Sequence, residues 1–499
     1  MVIAISSKCC PCNPCCKWSN NEVTAWALDA SARGAMVISG IFLGVALLRT
    51  AKIAAGCEVA CEGADCPDPA PELADCDEKV FGFKPSSLLA IMGMVVGLMA
   101  AITMPVIGAI VDHTNYRWKI GAASGFMLVL INFFQSFLTQ STWAWVAFLQ
   151  IVAPYIYLVH CVVQYAYLPE LTSDKDELSD ITAQCNMWQF LTQVGYIIVV
   201  QIFAIAMGTG AIGTARISQI LLIGWSAFFF YVPWAEMFGH RPALSSVPEG
   251  ETLLSVGFSR IKKTIGEMRT DFNAVFVCLC AVAFSEAGAN AFTTIAVTYC
   301  DEVLLMTATE TSLLILICLV IAVPSSIIFA KLTKKIGAHK SFMLSLAWWA
   351  FVTFLAPVFM NGPTHKTNGY VFGILWGMGF GWIYPTQRAL YCLLIPGGQE
   401  SELMGIYIFA GQILVWMPPA IFTLLNEAGV SMAWGLASDA CFFLVALGIA
   451  YSMGDFELAM QKAKATLDKR VMGAGADGAL GSSEGLKDFE MPGQDQMTV

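Results

Sequence analysis

Twelve runs of about 20 apolar residues, each bounded by charge or turn chemistry, leave this chain few ways to fold. They lie near 24–49, 86–111, 119–139, 142–168, 181–207 and 214–236, then 273–299, 309–330, 341–361, 369–395, 403–425 and 432–454. A helix of that length crosses a hydrocarbon core of about 30 Å with every backbone hydrogen bond satisfied internally. The composition agrees, with 57% hydrophobic and 13% charged residues, against about 45–50% and 25% in soluble chains. That balance excludes a soluble enzyme, a nucleic-acid binder and a disordered hub, and a net charge of −10 opposes binding to polyanions. The expected fold is an all-α integral membrane protein with twelve transmembrane helices in two six-helix halves.

The organisation expected is a Cys-rich N-terminus, 1–23, then a first half, 24–236, with a Cys-rich loop at 50–85. A polar linker, 237–272, a second half, 273–454, and a largely disordered tail, 455–499, complete it. Nineteen of the 27 Lys and Arg residues fall on the side that holds both termini, which places the termini in the cytosol. The apolar run at the start is too short for a secretory signal peptide. In the linker, Leu254, Phe258, Ile261, Ile265 and Met268 recur at helical spacing with Arg260, Lys262 and Lys263 between them. That is the pattern of an amphipathic helix on the inner membrane face.

Cys57, Cys61, Cys66 and Cys76 fall in the first loop on the oxidising side, where two disulfides are expected in one of three connectivities. Cys9, Cys10, Cys12, Cys15 and Cys16 lie just before the first span on the cytosolic side, as candidates for S-palmitoylation. No histidine stands near them, and no metal site or other cofactor is expected. A phosphate-binding Gly-x-x-x-x-Gly-Lys motif, a nucleophile elbow and a zinc His-Glu-x-x-His motif are all missing, so no enzymatic activity is expected.

The loop after the second span reads Gly108-Ala-Ile-Val-Asp112 and continues to Arg117 and Lys119. There a small residue would let helices approach, an Asp would cap or brace a neighbouring helix end, and the cations would hold the loop in the cytosol. The loop after the eighth span, Ala330 to Lys340, repeats it in degenerate form. This resembles the cytosolic loop motif of the major facilitator superfamily, and matching copies in a 6+6 chain point to parallel halves. Within the superfamily the chain is similar to the autophagy-related vacuolar effluxers. The similarity rests on Trp26-x-x-Asp29-Ala30, Tyr167-Leu-Pro169-Glu170-Leu171, Arg388 to Pro396, and Glu400-Ser-Glu402-Leu-Met-Gly405-Ile-Tyr407. The resemblance implies export of neutral amino acids, notably leucine, from vacuole or lysosome after autophagic proteolysis. It also implies that spans one, four, seven and ten line a central cavity, which places Asp29, His160, Glu286 and Arg388 on cavity-lining helices.

An ionisable residue inside a span costs about 2.5–3.5 kcal/mol on insertion scales and calls for a role. Glu286 sits near the middle of the seventh span with Ser285, Asn290, Thr293 and Thr294 around it. It could couple protons, bind a substrate ammonium, or brace two helices as a protonated acid. His160, with Gln164 one turn on, is a candidate for a transport role or a hydrogen-bonded packing residue. Asp29 and Arg33 share a helix face and can pair; Asp29 and Arg388 are candidates for a cytosolic gate, or static anchors near span ends. The fifth span carries Asn186, Gln189 and Gln193 on one face, and Gln412 follows Gly411 in the eleventh. Such amides would hydrogen-bond a zwitterion or hold helices together. Asp439 lies two turns from the lumenal end of the last span and carries no role in this scheme.

The expected partners are an amino-acid substrate, protons and the lipid bilayer, with no nucleic acid. Two rivals stand beside amino-acid efflux. One is transport of another small organic solute or a lysolipid at a different membrane. The other is a non-transporting sensor or scaffold signalling through the tail and linker helix.

Overall fold

In a computed structural model, the described residues are 15–57, 78–171, 175–243, 247, 252–395 and 400–454. The first half holds α1 (Cys15–Ala55), α2 (Leu88–His113), α3 (Arg117–Gln135), α4 (Trp143–Leu171), α5 (Lys175–Ala206) and α6 (Ala211–Val232). The amphipathic linker helix α7 (Leu253–Asp271) follows. The second half holds α8 (Asn273–Glu302), α9 (Ala308–Ile336), α10 (Ala338–Phe359), α11 (Lys366–Leu394), α12 (Glu400–Ile413), α13 (Met417–Glu427) and α14 (Met432–Ser452).

Among the described residues, ten stretches are long and apolar enough to cross a membrane by length and composition. The expected spans outside that set are α3 and α11. The first opens with Arg117 and Lys119 and has 19 residues. Glycine dilutes the second: Gly369, Gly373, Gly377 and Gly381 recur every four residues along one face. That face lies against α9. A Cβ on Gly377 would strike the Cys318 carbonyl, one on Gly381 the Ala322 carbonyl, and one on Gly373 would lie 3.4 Å from the Leu314 carbonyl oxygen. Small residues let membrane helices approach backbone to backbone, so the low hydropathy of α11 reflects its packing.

The expected eleventh span, 403–425, is not one helix. Pro418 and Pro419 lack the N–H groups that would bond the carbonyls of Leu414 and Val415, so the helix stops. The chain turns instead through bonds from Val415 N to Gln412 O at 3.4 Å and from Met417 N to Leu414 O at 2.9 Å. Pro418 then sits in the first turn of α13, where no donor is needed.

Each half has its own core. In the first, α1 packs on α5 and α6, and α3 on α4, with Trp26, Leu128 and Tyr167 wholly buried. In the second, α9 packs on α11, and α14 on α8 and α10. There Trp349 stacks on Phe443 with ring centroids 5.1 Å apart. A further cluster crosses between the halves, joining Leu43, Leu47, Leu89 and Trp143 to Val297 and Ala308. It lies at the end of the bundle that carries residues 49–57, 78–87 and 301–310, hereafter the loop end. The opposite, linker end carries α7 and the turns after α2 and α9.

Candidate functional site

The back of α8 is made of small side chains. Ala283, Ala287 and Ala291 are buried, and a Cβ on Gly288 would lie 2.9 Å from the Phe443 ring of α14. Its flanks meet α11 and α12, and α1 and α2 of the other half touch it. Asn290 is nevertheless exposed in the middle of this helix. One turn away, Glu286 is half-buried.

Both carboxyl oxygens of Glu286 accept from amides. Asn290 Nδ2 donates to Oε2 at 3.0 Å and to the Glu286 carbonyl at 2.8 Å. Gln387 Nε2, from α11, donates to Oε1. Gln387 is oriented in turn by Ser285, whose hydroxyl donates to Gln387 Oε1 at 3.1 Å. The Cβ position of Gly411 lies 3.5 Å from Glu286 Cγ, so α12 closes one side of the carboxyl. Arg388 lies within electrostatic reach of Glu286, Tyr407 and Tyr165 of α4. An amide carries a donor and an acceptor and can present either end. This cradle can therefore hold a carboxylate, a carboxylic acid, or a carboxylate paired with an incoming cation.

Gln387 is absent from the sequence-level candidates. The available signal was an amide within a span, directly before Arg388, but nothing local ties it to a residue 101 positions away.

A second polar cluster lies inside the first half, near the linker end. Asp29 is fully buried and saturated. Arg33 Nε donates to its Oδ2 at 3.0 Å, while His160 Nε2 and Trp234 Nε1 meet its Oδ1 at 2.7 and 2.9 Å. The other ring nitrogen of His160 lies 2.8 Å from Ser124 Oγ. Trp234 reaches the carboxylate because Gly121 of α3 leaves the space its indole fills, where any Cβ would collide. Arg33 also stands 5.8 Å from the Trp26 ring centre and 5.9 Å from that of Tyr165. A buried charge persists only with such pairing.

The structure thus joins Asp29 with His160 and with Arg33, and sets Arg388 apart beside Glu286. Among the described residues no bond joins Asp29 to Arg388; the Tyr165 ring centre stands 5.9 Å from Arg33, and Tyr165 lies within electrostatic reach of Arg388. Gln412 is half-buried next to Gly411. Gln189 and Gln193 lie on α5 as expected, and the Asn186 side chain is outside the described residues.

In the loop motif, Arg117 is fully buried, donates to the Ala166 carbonyl at 3.4 Å and stands 5.6 Å from the Tyr167 ring centre. Asp112 is half-buried in the last turn of α2. Gly108 does not serve a close approach here: a Cβ added to it meets nothing within 4 Å.

The halves are bridged at the loop end. Arg49 Nε lies 3.0 Å from Asp301 Oδ1, and Lys52 Nζ lies 2.9 Å from both Asp301 Oδ2 and Glu302 Oε2. A second bridge joins Ser87 Oγ to Glu427 Oε1 at 2.7 Å, with Asn426 Nδ2 donating to Ser86 and Ser87 at 2.7 and 2.8 Å. Cys57 is disulfide-bonded. Cys61, Cys66 and Cys76, like Cys9, Cys10 and Cys12, lie outside the described residues, as do the side chains of Cys15 and Cys16. Among the described residues no group of His, Cys, Asp and Glu is arranged to hold a metal ion.

Comparison with known proteins gives a consistent picture. The family model described as vacuole effluxer Atg22 like matches residues 18–464. Autophagy-related protein 22 of Cryptococcus neoformans var. neoformans is 24% identical over 246 residues, 45% of this chain and 42% of that protein. The match spans less than half of that relative's length. A putative proline/betaine transporter of Staphylococcus aureus is 32% identical over 97 residues, 19% of this chain and 21% of that protein. Among solved structures, the inward-open xylose transporter XylE from E. coli aligns with a TM-score of 0.58 at 13% identity, covering 88% of this chain and 97% of its own. The peptide transporter POT aligns at 0.56 and 13% identity, covering 87% and 95%. Likeness at these identities establishes the fold.

Proposed function

Because the chain belongs to the vacuole effluxer Atg22 like family and is a multi-pass membrane transporter of major facilitator fold, we propose that it exports neutral, leucine-like amino acids from vacuole or lysosome to cytosol in autophagic recycling. The observation that carries this is the Glu286 carboxyl, held in the middle of α8 by the amides of Asn290 and Gln387. A carboxyl so placed suits the ammonium of a zwitterion, or a proton that travels with it.

In this scheme both termini and the linker end are cytosolic, consistent with the Lys and Arg distribution. The loop end is then lumenal, and its bridges close the lumenal side. Loading from the lumen requires Arg49 and Lys52 to part from Asp301 and Glu302, after which the halves rock about the Glu286 level. Arg388 and Tyr165 supply the cytosolic gate, and Asp29 acts on it through Arg33.

The test is leucine flux in proteoliposomes under an imposed pH gradient, for the wild type and Glu286→Gln. Flux that follows the gradient and is uncoupled in the variant is expected. Equal, gradient-insensitive flux in both would keep the substrate and remove Glu286 from coupling. Absence of leucine flux in folded protein would discard the substrate. The similarity to a putative proline/betaine transporter favours one second reading, a betaine-like zwitterion. Competition of labelled leucine by proline and betaine separates the two.

A further inference from the structure

The linker helix α7 presents three distinct faces. Val256, Gly257, Thr264 and Met268 are buried. Gly257 lies against the Pro105 carbonyl of α2, where any Cβ would collide, so α7 is clamped to α2 at its internal proline. Leu254, Phe258, Ile261 and Ile265 follow one another at steps of four, three and four residues, a single stripe on a helix of 3.6 residues per turn. Leu254 is 64% exposed and Phe258 46%. Ser255, Ser259, Gly266 and Thr270 form a third, exposed polar face. Lys262 and Arg269, both exposed, stand between the apolar stripe and the polar face.

Facing water, such a stripe would be an aggregation liability. Here α7 ends at Asp271 and the membrane-spanning α8 begins at Asn273, so the helix is held at the membrane boundary. The order of faces matches that boundary: apolar stripe toward acyl chains, Lys262 and Arg269 at headgroup level, serine and threonine toward water. The same end also carries exposed Lys331, Lys334, Lys335 and Lys340 around the α9–α10 turn, against a chain net charge of −10.

We propose that the Leu254–Phe258–Ile261–Ile265 stripe, with Lys262 and Arg269 beside it, is a docking surface for a membrane leaflet bearing anionic headgroups. Through the Gly257–Pro105 contact, docking fixes α7 against α2. The inference goes beyond the transport reading and does not depend on the substrate.

Hydrogen exchange of the full chain in nanodiscs tests it, comparing phosphatidylcholine alone with phosphatidylcholine plus phosphatidylserine. Amides over 254–266 are expected to exchange about 25-fold more slowly with phosphatidylserine, two basic side chains each contributing a factor of about five. High salt should remove the difference. Lys262→Gln combined with Arg269→Gln should shrink it several-fold while leaving protection in phosphatidylcholine unchanged, and Phe258→Ser should lower protection in both lipids. Equal exchange in the two lipids overturns the proposal. So does protection that arises only when a soluble protein is added.

Discussion

The guanidinium of Arg49, on the first helix of one half, lies 3.0 Å from the carboxylate of Asp301, on the first helix of the other, with both side chains about 4% exposed. Arg49 also donates to the Met306 carbonyl at 3.0 Å, and Lys52 shares the carboxylate. A buried ion pair gains little over apolar packing, yet losing one partner leaves a charge uncompensated. Polar contacts of this kind suit a seam that opens and recloses, because water can replace each bond when the halves part.

Asp301→Asn is expected to weaken the closed seam by about 3–5 kcal/mol, the cost of breaking a buried pair. Thermal melting in detergent should show a clear fall in Tm. Exchanging the charges, Arg49→Asp with Asp301→Arg, should recover part of the loss if the two residues act as a pair. Single variants that melt like the wild type would place the closure elsewhere.

The Asp29 cluster makes a graded prediction. Trp234→Phe removes one donor to a carboxylate that keeps Arg33 and His160, and should cost about 1.5–3 kcal/mol. His160→Ala also strips the 2.7 Å contact and opens a cavity, so it should cost more. Denaturation of the two variants decides the order, and the reverse ranking would contradict the bonding described.

Asp439 is fully buried in α14, and neither of its oxygens has a partner among the described residues. Replacing an unpaired buried polar group by an apolar one of similar shape removes its desolvation penalty, about 1–3 kcal/mol. Asp439→Leu should therefore raise Tm while leaving flux intact. A lower Tm, or lost flux in folded protein, would reveal a role for the carboxyl.

Gly377 lies against the Cys318 carbonyl of α9. Gly377→Ala must force the backbones apart, with an overpacking cost of about 1–3 kcal/mol. Gly362, in a loop where a Cβ meets nothing within 4 Å, is the control. If the two alanine variants melt alike, the glycine face of α11 is not what seats it on α9.

The membrane class, the two halves and the amphipathic linker are legible in the sequence because hydropathy and helical period are local properties. So is the Asp29–Arg33 pair, four residues apart. The break in the eleventh span could also have been read from Pro418 and Pro419, where apolar length masked it. The remaining relationships were decided by packing. His160 meets Asp29 across 131 residues, Gln387 meets Glu286 across 101, and Arg49 meets Asp301 across 252. A span fixes which residues share its face and leaves open which face its neighbour presents. The glycine ladder of α11, the Gly121 space beneath Trp234 and the small back of α8 set those faces. Only once they are seated do the buried polar groups acquire partners, and in a low-dielectric interior the partner decides what each group can do.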